Sequence, residues 1–114
     1  MTRIISINIR GLGGEPKFIA LKNLLYSLYP NIILIQETAH NCSEVVVYFR
    51  KMFLSWHIST TNSSGLSWGL VALRDPSWVL VKALCCFVGI LLEARFQGIP
   101  GNVHILNVYA PYKE

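Results

Sequence analysis

The chain has 114 residues, room for one ordinary domain and too little for two. Hydrophobic residues make up 53% and charged residues 14%, a balance that excludes a polar disordered tail. Ten Lys and Arg against six Asp and Glu give +4, which favours anionic partners only mildly because the positive residues are scattered and form no stripe.

A mean hydropathy of +0.44 raises the question of a membrane. The longest uncharged apolar run, Ala83 to Leu92, has ten residues between Lys82 and Glu93. A helical span needs roughly 20, so this run is expected to be a buried element. Phe18 to Ile35 is interrupted by Lys22, Asn23, Pro30 and Asn31. The amino-terminal run around Arg3 alternates like a strand and does not read as a secretory leader. Cys42, Cys85 and Cys86 form neither a disulfide framework nor a zinc spacing. The expectation is a soluble intracellular protein, nuclear or cytoplasmic, with no membrane partner.

In chain order, Arg3 to Ile9 is rich in β-branched residues and stops at Gly11, Gly13 and Gly14, which predicts a strand and a turn. Pro16 stands where a first helical turn tolerates it, and Phe18, Leu21, Leu25, Leu28 and Tyr29 recur at helical spacing. Pro30 and Asn31 end that helix. Ile32 to Glu37 then reads as a continuously apolar strand, covered on both faces and paired in parallel across the crossover helix. A second helix is expected over Ser43 to Phe53, capped by Asn41 or Ser43. Beyond Trp56 the texture turns to strands: His57 to Thr61, Trp68 to Arg74, Trp78 to Lys82, Phe87 to Phe96 and Asn102 to Tyr109. Turns at Asp75-Pro76 and Gly98-Ile99-Pro100-Gly101 separate some of them. Order of the α/β kind followed by an antiparallel meander predicts an α+β or mixed-sheet fold.

The residues that carry chemistry stand at strand ends. Asn8 closes the first strand and Glu37 the next, so parallel pairing brings both to one sheet edge, where open α/β sheets build their crevices. A carboxylate ending a buried strand needs a positive or donating partner. Magnesium suits that role, because it takes one or two carboxylates and leaves its other positions to water and phosphate oxygens. A solvated Glu in a strand-to-helix turn, favoured by the positive end of the following helix, is the alternative.

Gly11-Leu12-Gly13-Gly14 also invites comparison with a dinucleotide-binding loop, but the third glycine of that motif is replaced by Pro16, which removes an amide. Lys17 is not followed by the Ser or Thr of a P-loop. His40, His57 and His104 have no partner at metal-ligand spacing. Trp56, Trp68 and Trp78 read as core or sheet-packing residues.

The segment Asn107-Val108-Tyr109-Ala110-Pro111 completes a pattern. Together with Ser6-Ile7-Asn8-Ile9-Arg10-Gly11-Leu12, Ile35-Gln36-Glu37-Thr38 and Ser64-Gly65 followed by Trp68-Gly69-Leu70-Val71-Ala72, it resembles the endonuclease/exonuclease/phosphatase family. The likeness is greatest to the apurinic-type endonuclease domain of non-LTR (LINE-like) retrotransposons, especially those of plants. The resemblance implies that residues 1–114 are a partial domain of that type, roughly half of a four-layered two-sheet sandwich flanked by helices. It implies catalytic roles for Asn8 and Tyr109, with Tyr109 on the scissile phosphate. It further implies metal binding by Glu37 and Asn8, substrate binding by Asn107 and Arg10, a magnesium cofactor and a DNA partner. The physical logic agrees, since a cation polarises the phosphoryl oxygen while Asn and Tyr donors position the phosphate.

The sequence also departs from the pattern. The Gly-Asp-x-Asn and Ser-Asp-His segments, which supply the family's water-activating aspartate and its histidine, are absent; Asp75 is the only aspartate and matches neither. Tyr112 stands where many relatives have asparagine. The missing half is expected to supply the second sheet, so that this chain exposes an apolar inner face and self-associates. Two function classes follow: an N-terminal fragment of a metal-dependent DNA endonuclease, inactive alone, or a non-enzymatic remnant that pairs through its sheet.

Overall fold

The computed structural model describes residues 2–61, 69–77, 79–86, 89–96 and 98–108. Among the described residues, two helices and seven strands follow in the order β1 (Ile4–Asn8), α1 (Glu15–Leu28), β2 (Ile32–Gln36), α2 (Cys42–Met52), β3 (His57–Thr61), β4 (Leu70–Arg74), β5 (Val79–Cys86), β6 (Gly89–Arg95) and β7 (Asn102–Val108).

The helices begin and end where local chemistry directs. Pro16 occupies the first turn of α1, beside Glu15 at the positive end of the helix. Tyr29, at φ 49°, caps its other end, and Pro30 follows. In α2, Asn41 is the cap. Its Oδ1 accepts from Glu44 N at 3.0 Å and its Nδ2 donates to Glu44 Oε1 at 2.7 Å, a pairing akin to a capping box. Arg50 and Lys51 sit favourably in the last turn.

Strands β1, β2, β4 and β3 form one sheet in that order, and β5, β6 and β7 form a second. β1 and β2 run parallel, with Asn8 opposite Gln36; β4 lies antiparallel to both β2 and β3. The two central strands of the four-stranded sheet, β2 and β4, are buried on both faces. Ile33, Ile35, Val71 and Leu73 pack under Leu21 and Leu25 of α1 and Val45, Phe49 and Met52 of α2. Their neighbours Ile32, Leu34, Leu70 and Ala72 face the other way, onto Ile90, Leu92, Ala94 and Phe96. This two-sided burial explains why β2 is apolar without alternation. The mixed α+β fold is thus layered as helices, sheet and sheet.

Three expectations need correction. β3 and β4 do not start a meander; they join the sheet of β1 and β2, and only β5 to β7 form a meander. The second sheet is not wholly missing, because three strands, β5 to β7, are described and cover the inner face of β2 and β4; on β1, Ile4, in register with Ile32, stays 46% exposed. Apolar surface is also exposed on the outer face of the second sheet, where Leu84, Leu106 and Val108 are 49%, 58% and 48% exposed. Finally, the run Ala83 to Leu92 falls on two antiparallel strands and is not one buried element; Leu84, in register with Leu91, faces outward and is exposed, whereas Ala83 packs against the inner cluster. Among the described residues no helix is long and apolar enough to cross a membrane.

Candidate active site

The carboxyl ends of β1 and β2 and the amino end of β4 meet at one edge, and the backbone is under tension there. Three of the four described non-glycine residues with left-handed φ cluster at this edge: Arg10 at 51°, Glu37 at 60° and Ala39 at 59°. Such conformations cost a side chain roughly 1–2 kcal/mol and persist where the surroundings hold them in place. Three backbone bonds do the holding. Ile9 N donates to Gln36 O at 3.1 Å, Gly11 N to Glu37 O at 2.6 Å and Thr38 N to Gly69 O at 3.1 Å.

The kinks bring Asn8 and Glu37 together. Asn8 Nδ2 donates to Glu37 Oε2, and Asn8 Oδ1 accepts from Arg10 N at 3.1 Å. Asn8 therefore holds the carboxylate through its NH2 group, while its oxygen is engaged by the turn. Glu37 itself is half-buried. Arg10 is exposed beside the pair.

Asn107 has a different setting. It is 2% exposed and reaches from β7 into the other sheet. Its Nδ2 donates to Ile35 O at 3.1 Å and to Val71 O at 2.9 Å, and its Oδ1 accepts from Gln36 Nε2 at 2.8 Å. Both amide hydrogens are thus committed to protein carbonyls. Tyr109, and with it the Ala110-Pro111 and Ser64-Gly65 motifs, lies outside the described residues.

Several participants escaped the sequence reading. Lys17 Nζ donates to Ile9 O, and lies 3.4 Å from Arg10 O. The Tyr48 hydroxyl donates to Leu12 O at 3.0 Å, and burial pushes its pKa upward. Thr38, adjacent to Glu37, is fully buried, and its hydroxyl has no hydrogen-bond partner among the described residues. His40 Nδ1 lies 2.9 Å from Thr38 O. The contacts of Lys17 and Tyr48 follow no local pattern, because they join residues through the folded loop.

The donor set suits a hard cation that keeps most of its water. Glu37 offers a carboxylate fixed on one oxygen, and the described residues contain no group of three His, Cys, Asp or Glu that would form a fully protein-bound cage. Magnesium, which binds through one or two carboxylates plus water and phosphate oxygens, fits such a site better than zinc does. Asp75 lies at the far end of the sheet, where its N–H bonds Asn31 O at 2.9 Å. Six residues of strand, about 20 Å, separate Asn31 from Glu37.

No family model matches the sequence, and no curated protein matches it either. Solved structures do share its fold. TDP2 from Caenorhabditis elegans aligns with a TM-score of 0.71 at 19% identity, over 98% of this chain and 36% of that one. A humanized TDP2 from D. rerio aligns with a TM-score of 0.69 at 19% identity, over 92% and 45%. The AP endonuclease LMAP from Leishmania major aligns with a TM-score of 0.70 at 16% identity, over 95% and 40%. The chain therefore shares the fold of these structures and spans less than half the length of each.

Proposed function

We propose that this chain is the N-terminal part of a metal-dependent phosphodiesterase of the DNA endonuclease kind, derived from a LINE-like retroelement. The observation that carries the reading is the Asn8–Glu37 pair on a strained sheet edge, in a fold shared with an AP endonuclease. The retroelement origin rests on the motifs of the sequence alone.

Glu37 is the metal ligand in this reading, and Asn8 orients it. A bound divalent cation would supply Lewis-acid polarisation of a phosphoryl oxygen. Arg10 is exposed next to the pair and offers a cation to the phosphate backbone of DNA. Asn107 contributes from beneath, by fixing β7 against β2, and the role this reading gives Tyr109, contact with the scissile phosphate, rests on the sequence motif alone. A general base is a separate requirement. Asp75 is at the wrong edge, so the water-activating group has to come from outside the described residues. Without one, catalysis loses a factor of about 10²–10⁴. The chain alone is accordingly inactive.

Magnesium titration followed by calorimetry tests the assignment. Binding in the millimolar range or weaker, abolished by Glu37→Gln, supports it; tight binding that survives Glu37→Gln overturns it. A supercoiled plasmid should stay intact with magnesium and this chain, and nicking that disappears in Glu37→Ala would overturn the inactivity.

A second reading is favoured by Leu84, Leu106 and Val108 on the outer sheet face. In it the chain is a non-enzymatic module that associates through that face. A dimer dispersed by Leu106→Lys, with no dependence on Glu37, would favour this reading over the first.

A further inference from the structure

The turn after β1 is locked by a residue that lies eight positions away. Lys17 sits in the first turn of α1, half-buried, with its side chain folded back under the loop. Its ammonium donates to Ile9 O and lies 3.4 Å from Arg10 O. Room for the stem is made by Gly13: a Cβ there would lie 2.5 Å from Lys17 Cδ, and its φ of 72° disfavours any side chain. An exposed lysine keeps its freedom, and ordering one costs up to about 2 kcal/mol. Charge-assisted bonds to carbonyls offset that cost and fix the two residues they hold.

Those two residues control the carboxylate. Arg10 is held at φ 51°, and in that conformation its N–H bonds Asn8 Oδ1 at 3.1 Å. With its oxygen turned to Arg10, the Asn8 carboxamide presents Nδ2 to Glu37 Oε2. Lys17, Arg10, Asn8 and Glu37 thus form one chain of contacts, in which each link sets the direction of the next.

We propose that Lys17 is a positioning residue for the Glu37 carboxylate, acting through the Ile9–Arg10 turn and the Asn8 carboxamide; this rests on the reading of Glu37 as the metal ligand. Groups that orient a ligand from behind are typically worth 10–100-fold in metal affinity. The sign of the effect separates positioning from charge. Removing a nearby positive charge would by itself tighten cation binding, whereas loss of positioning weakens it.

The test uses Mn2+ as the probe, with free ion counted by electron paramagnetic resonance, on the whole chain and on Lys17→Met, Lys17→Arg, Glu37→Gln and the Lys17→Met/Glu37→Gln double variant. Lys17→Met should weaken binding about tenfold, the conservative Lys17→Arg less, and Lys17→Met should change nothing further once Glu37 is Gln. In parallel, the Asn8 side-chain amide resonances should shift in Lys17→Met. Should Lys17→Met fail to fold, Lys17→Arg carries both measurements. Unchanged or tighter binding in the Lys17 variants, with binding lost in Glu37→Gln, overturns this inference and leaves the assignment of Glu37 standing. Binding unchanged in Glu37→Gln overturns that assignment and this inference with it.

Discussion

Asn107 and Gln36 join the two sheets side chain to side chain, Nε2 of Gln36 donating to Oδ1 of Asn107 at 2.8 Å, one residue before Glu37. Gln36 Nε2 also lies 3.1 Å from Ser6 Oγ on β1. The polar bridge therefore runs from β7 through β2 to β1, directly behind the candidate site. The remaining Asn107 bonds, to Ile35 O and Val71 O, make the amide fully paired in a buried position. A buried network of this kind fixes one register of the two sheets, because any slip leaves polar groups unpaired.

Asn107→Ala should cost on the order of 3 kcal/mol in urea denaturation, a large share of a domain's total stability. Asn107→Asp should be worse at neutral pH, since an ionised carboxylate would face two carbonyls. Its folded pKa would lie above the unfolded value near 3.9, so the native state is least penalised below that pH and loses stability as pH rises. A loss under 1 kcal/mol in Asn107→Ala would contradict the bridge.

Ala39 occupies a left-handed conformation without a side chain that benefits from it. Ala39→Gly should raise stability by up to about 1 kcal/mol, the relief of strain exceeding the added freedom of the unfolded chain. A lower melting temperature would show that Ala39 makes contacts that outweigh the strain.

Tyr48 is the alkaline weak point of the loop. Its ring stands edge-on to Phe18 at 5.0 Å, and burial raises its pKa above the ordinary 10.0. A folded pKa above the unfolded one gives stability that is complete below about pH 10 and disappears as pH rises through the folded value. Ionisation also removes the donor to Leu12 O. Tyr48→Phe should cost about 1 kcal/mol at pH 7 and show a smaller loss between pH 9 and 11 than the unmodified chain. Parallel pH profiles would place the alkaline sensitivity elsewhere.

Local pattern made some of the fold legible. The unbroken Ile32 to Ile35 run announces two-sided burial, and His57 to Thr61 is the strand its β-branched residues suggest. The cap at Asn41 is readable from Glu44 three residues on. The parallel pairing of β1 with β2 was legible, but the place of β4 was not, because nothing within Leu70 to Arg74 says that it will sit between β2 and β3. The outward exposure of Leu84 was missed for the same reason: a short apolar run does not say which face will be covered.

At the site, the meeting of Asn8 and Glu37 follows from two parallel strands of equal length, which sequence alone suggests. The setting of Asn107 does not, since polar side chains at strand ends read equally well as ligand contacts. Its three partners come from residues 36 to 72 positions away in the chain and exist only after the sheets have packed. Lys17 was hidden by its own type, because a lysine in the first turn of a helix ordinarily points to solvent.

The central claim is that Glu37, held by Asn8, is where a divalent cation binds. Amide resonances of the 15N-labelled chain during titration with Mn2+ test it most directly. The account predicts selective broadening of residues 8 to 11, 36 to 38 and Gly69, lost in Glu37→Gln. Broadening centred on Glu93 and His104, or broadening around residue 37 that persists in Glu37→Gln, would contradict it.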